Sequence, residues 1–252
     1  MVTKKSNKEV KAIKFGKEEV KKESSSQIIK HEEGQLIWFI AIIIVIFLAF
    51  IIPYLYVQSQ KSFDYAQVKW QIEGNSGLTV YHARFRALDE SDINYNVYLR
   101  EDPRENNVTT EGNFTDFKLG GYVSLSKEVD ACRGDVARVM IDLGSFLRSG
   151  IGVGNLTVSS NDYQYSKETK RPYINCKSNT KSTIISIDIG EPRVIQSVDN
   201  KYCYEIYVQD CKDISPVEKF ITKTIGDIME EKAAEELKVN KELAVQAVEE
   251  SG

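Results

Sequence analysis

The chain has 252 residues, of which 42% are hydrophobic and 28% charged, with a formal net charge of -4. Set apart from one long apolar run, it leaves about 190 residues, the size of one domain. A slightly acidic balance excludes a chain-wide basic surface, so nucleic acid is not expected as a partner.

Residues 1–33 carry nine lysines and six glutamates. With so few apolar side chains this stretch reads as a disordered Lys/Glu-rich tail. Lys8, Lys11, Lys14 and Lys17 would share one side of a helix and could meet anionic lipid, but interleaved glutamates dilute that attraction. Its main expected role is to help set topology.

From Leu36 to Val57 no side chain is polar except Tyr54 and Tyr56. At about 1.5 Å of rise per residue such a helix covers roughly 33 Å, the depth of a bilayer's hydrocarbon core. A core helix would place polar residues on one face, and none occurs here. Trp38 near one end and the two tyrosines near the other suit the headgroup level. Residues 34–58 therefore read as a signal-anchor helix. A cleavable signal ending near Ser59 is the alternative, but such peptides run about 15–30 residues in all, and this run starts after a longer tail. The lysine excess before the run places the tail in the cytoplasm and the body outside, making a single-pass protein of the cell membrane.

Gly34-Gln35, set directly before a long apolar helix, resembles the processing site of archaeal type IV pilin precursors, which are cut after the glycine. Glu33 stands where that family usually carries Lys or Arg, and Phe39 where many members carry a glutamate. The resemblance covers this junction only, and it implies, as an alternative, an assembly subunit processed after Gly34.

Beyond the anchor, Ala66 to Glu73 reads as the first strand, followed by "GLTVYHARFRAL" and "INYNVYLRE", where Ile93, Tyr95, Val97 and Leu99 alternate as one buried face. "YVSLS" at 122–126 is a further strand. Val136, Val139, Met140, Leu143, Phe146 and Leu147 then recur at three and four, predicting an amphipathic helix closed by Gly150. "GIGVGNLTV", "STIISIDIGE", "RVIQSV" and "YCYEIYVQ" return to strands. Strand, helix, strand over 121–158 is the pattern of a crossover between parallel strands. Residues 59–212 thus form an α+β domain with a mixed sheet, the alternative being an all-β sandwich with an inserted helix. Ser215-Pro-Val-Glu218 has the composition of a capping box and opens a C-terminal helix over 213–252. Val217, Phe220, Ile221, Ile225 and Ile228 dock it, whereas after Met229 the stripe thins, so the distal part is frayed or awaits a partner.

All four cysteines, Cys132, Cys176, Cys203 and Cys211, follow the apolar run, which suits two disulfides in an oxidising compartment. If Tyr202 to Gln209 is extended at roughly 3.3 Å per residue, Cys203 and Cys211 lie too far apart to bond. Cys132 and Cys211 each follow a strand and open a helix, while Cys176 and Cys203 precede strands. Parallel strands then favour Cys132–Cys211 and Cys176–Cys203 over the sequential pairing. Asn107, Asn113 and Asn155 head glycosylation sequons on the same side of the anchor.

No residue set announces catalysis. "GIGVGN" has helix before and strand after, the reverse of a dinucleotide fingerprint, so no cofactor is expected. His82 stands alone in a strand and lacks the partners of a catalytic base. Asp89, Glu90, Asp92, Glu101 and Asp102 match no calcium loop and read as polar turns. The expected function is a non-catalytic module that binds an extracytoplasmic protein, glycan or envelope component. An extracytoplasmic hydrolase using two convergent carboxylates is the competing class.

Overall fold

The computed structural model describes residues 25–249 apart from 60, 76, 88–92 and 179–180. It divides into two compact units, Met1–Val57 and Gln58–Gly252.

The first unit is dominated by helix α1, Ser25–Ser59, which starts well before Gly34 and takes Pro53 within its length. Trp38–Ser59 has a mean hydropathy of 2.9 and no buried part. Large apolar side chains such as Phe47, Phe50 and Leu55 all face outward. By length and composition this helix could cross a bilayer.

The second unit is α+β with two sheets. The first is antiparallel, in the order β1 (Ser62–Tyr65), β2 (Val68–Asn75), β3 (Leu78–Arg86), β4 (Asn94–Leu99). The strand expected over Ala66 to Glu73 forms as β2, starting two residues later and paired with β1 in a hairpin. Ala66 and Gln67 are its two-residue turn, with φ of 52° and 58°. Both occupy the left-handed region without the Asn-Gly pair that usually announces such a turn. Gly226 passes close to this turn, where a Cβ added to it would stand 3.3 Å from the Ala66 Cβ.

The second sheet has six strands in the order β5 (Thr109–Glu111), β9 (Arg193–Gln196), β10 (Cys203–Val208), β8 (Thr183–Ile189), β6 (Gly120–Leu125), β7 (Asn155–Ser160). β7, β6, β8 and β10 run parallel, and β9 pairs antiparallel with β10. Between β6 and β7 lie α2 (Lys127–Asp130), α3 (Asp135–Ser145) and one π-helical turn, Phe146–Ile151. This is the strand-helix-strand crossover of the sequence pattern, and it rules out a pure β-sandwich. The cap differs from expectation. Gly152, at φ 94°, ends the helical segment in the left-handed conformation. Gly150 is instead packed inside the π turn, where a Cβ would come within 3.0 Å of Phe146 and 3.3 Å of Tyr95.

α4 (Tyr163–Thr169) is capped by the Asp162 carboxylate, which accepts from the Gln164 and Tyr165 N–H groups. α5 (Ser215–Glu249) buries Val217, Phe220, Ile221 and Ile225. One core joins both sheets to α3 and α5: Trp70, Val97 and Leu99 from the first sheet, Ile185, Ile187 and Ile206 from the second, with Leu143, Phe146 and Phe220 from the helical segments. Fully burying side chains of this size gives about 1.5–3 kcal/mol each. The distal residues of α5 leave that core, with Leu237, Val239 and Leu243 all more than half exposed.

Candidate functional site

The disulfides fix both ends of the six-stranded sheet. Cys132 bonds Cys211 with Cα atoms 5.2 Å apart, and Cys176 bonds Cys203 at 5.4 Å. The first ties the turn before α3 to the turn before α5. The second ties the segment ahead of β8 to the first residue of β10. No described cysteine is free. An apolar N-terminal helix together with two disulfides fits a secreted or membrane-anchored protein.

The inner face of the four-stranded sheet is core, and its outer face is open. Strand alternation sets that division. Val68 and Trp70 point in while Lys69, Gln71 and Glu73 point out. Register then gathers the polar side chains: His82 on β3 lies opposite Gln71 on β2 and Tyr98 on β4. Its Nδ1 is 3.0 Å from Glu73 Oε1 and its Nε2 is 3.2 Å from Asn96 Oδ1. A charged imidazole donates to both oxygens, whereas a neutral one donates to one and accepts from the Asn96 amide turned over. The ring stacks on Tyr98, with centroids 4.5 Å apart and planes at 10°. Tyr98 itself is 52% exposed, so the far side of this pair is open to a ligand. Beside it runs a groove of about 720 Å³ lined by Lys61, Ile72, Glu73, Leu78, Tyr98 and Arg138, with Gly74 and Val80 completing it. His82 was visible in the sequence as a lone strand histidine. Glu73, Asn96 and Tyr98 were not, because only the pairing register brings them to it.

The second polar locus is structural. Ser215 and Glu218 do not close a capping box on their own helix. The Ser215 hydroxyl donates to Glu101 at 2.9 Å, and the Ser215 N–H donates to Asp213 at 3.3 Å. Glu218 accepts the Arg100 and Glu101 N–H groups at 2.8 and 3.0 Å. The first turn of α5 is thereby stitched to the end of β4. Glu218 is only 3% exposed. Burial pushes its carboxyl up to about 7, against the opposing pull of the two backbone donors.

Of the other acidic candidates, Glu101 belongs to this second locus and shares a pocket with Glu105 and Asp213. Asp102 pairs with Arg104, whose guanidinium holds its carboxyl below the usual range. Asp89, Glu90 and Asp92 lie outside the described residues, as does the tail to residue 24. Among the described residues no group of three or more His, Cys, Asp or Glu is placed to hold a metal ion. Asn107, Asn113 and Asn155 are all exposed, the last as the opening residue of β7. No family model, curated protein or solved structure matches the chain.

Proposed function

We propose that this chain is a membrane-anchored extracytoplasmic binding module: α1 holds it in the bilayer, the tail is cytoplasmic, and the disulfide-bonded body presents the open sheet face outside. The observation that carries the anchor is the unburied 22-residue apolar span Trp38–Ser59, joined in one chain to a body whose four cysteines form two disulfides. A reducing cytosol would not sustain those bonds. Binding, rather than hydrolysis, is favoured because Glu73 is the one carboxylate among the described residues of the groove, where a glycosidase-like site needs two. In the pocket that holds Glu101, Glu105 and Asp213, the Ser215 hydroxyl donates to Glu101 and the Gln209 and Ser215 N–H groups donate to Asp213. Asn107, Asn113 and Asn155 are available to glycosylation in the same compartment. Sequencing the N-terminus of the protein extracted from washed membranes tests the anchor. An intact tail is expected; a mature chain starting at Gln60 would make the body secreted, and one starting at Gln35 would favour the pilin-like assembly subunit.

A further inference from the structure

Three features of the open sheet face point to one kind of ligand. The first is charge: among the described residues lining the groove, Lys61 and Arg138 stand against Glu73. The groove is cationic on a chain whose net charge is -4. The second is a rigid aromatic surface. Tyr98 is 52% exposed, yet its ring is pinned by His82, which Glu73 and Asn96 hold in turn. An aromatic ordered before binding loses little freedom when a ligand stacks on it. The third is the amide set, Gln71, Asn94 and Asn96, exposed on the same face. Side-chain amides both donate and accept, as hydroxyl groups do, whereas a bare carboxylate only accepts.

Cations alone would suit any polyanion. Cations joined to a fixed ring and to paired amides suit a ligand with negative charge, an apolar ring face and hydroxyls together. We infer that this face binds an acidic oligosaccharide, a chain of sugar rings bearing carboxylates. One sugar ring lies on Tyr98 in the groove, its hydroxyls meet Asn96 and Glu73, and carboxylates of the chain pair with Lys61 and Arg138. His82 acts as a positioning residue for the Tyr98 ring. The inference deepens the binding-module reading and rests on it.

The test uses the full chain purified in detergent micelles and titrated calorimetrically with an oligogalacturonate, a neutral gluco-oligosaccharide and an oligoglutamate. Oligogalacturonate is expected to bind, with affinity falling as salt rises. Tyr98→Ala is expected to weaken it about tenfold, the value of one stacking contact, while Tyr98→Phe preserves it. His82→Ala should weaken it with Tyr98 still present, and Arg138→Gln should narrow the gap between the acidic and neutral sugars. Near-ultraviolet circular dichroism verifies that each variant is folded. Equal binding of the neutral sugar would remove the acidic requirement and overturn the inference, and so would oligoglutamate binding that is indifferent to Tyr98→Ala. Binding of none of the three by a chain whose N-terminus and topology match an anchored module would overturn this ligand class and leave the module reading standing.

Discussion

Glu218 makes the stability of the body depend on pH in a direction opposite to that of most carboxylates. Its side chain is 3% exposed and accepts two backbone N–H groups of the β4 end. Burial carries its carboxyl from the ordinary 4.5 to about 7. The folded state therefore holds a proton that the unfolded state has lost, and its stabilisation is fully present below about 4.5 and disappears as pH rises through about 7. At about 1.4 kcal/mol per pH unit the loss comes to about 3 kcal/mol. The comparison that isolates it is wild type against Glu218→Gln. Glutamine cannot ionise, and the cost of its poorer fit to two N–H donors is the same at every pH. Urea unfolding followed through the fluorescence of Trp70, which is fully buried, reads the stability of the body. The difference between the two proteins is expected to shift by about 3 kcal/mol in favour of the variant between about pH 4 and about pH 8. Parallel pH profiles would refute the reasoning and mean that the two N–H groups and the start of α5 keep Glu218 ionised.

Three further outcomes follow from packing and chain entropy. Replacing both Cys132 and Cys211 by serine opens a 79-residue loop and is expected to cost about 4–5 kcal/mol, against about 3–4 for the 27-residue loop of Cys176 and Cys203, read by the same urea titration. Thr224 is fully buried with its hydroxyl unpaired, so Thr224→Val should stabilise the body by about 1 kcal/mol, and a loss of that size would reveal a hidden partner. Gln67 sits at φ 58° in an exposed turn, and Gln67→Gly should raise the thermal midpoint by relieving about 1 kcal/mol of left-handed strain.

Much of the architecture is legible because it is written in local periodicity. The apolar span needs only its own composition, and β4 and the second half of β3, from Ala83 on, alternate residue by residue. The β6–α3–β7 crossover shows in the change of period from two to three and four. Features set by distant contacts are not legible. The turn at Ala66-Gln67 lacks glycine and asparagine, and it lies close to Gly226 far along the chain. β5 is three residues, Thr-Thr-Glu, too short to alternate, and exists because β9 offers an edge. The π turn moves the capping role from Gly150 to Gly152 because Phe146 and Tyr95 occupy the space beside Gly150. Ser215 and Glu218 have the right residues for a capping box, but Glu101 and the Arg100 backbone compete for them and win. The same holds at the open face, where His82 acquires meaning only from cross-strand neighbours.

The most direct measurement is protease accessibility in intact cells, with antibodies against the tail and against the C-terminal helix. External protease is expected to cut beyond Lys61 and remove the body while the tail stays intact. A body that survives while the tail is digested would contradict an extracytoplasmic module anchored by α1.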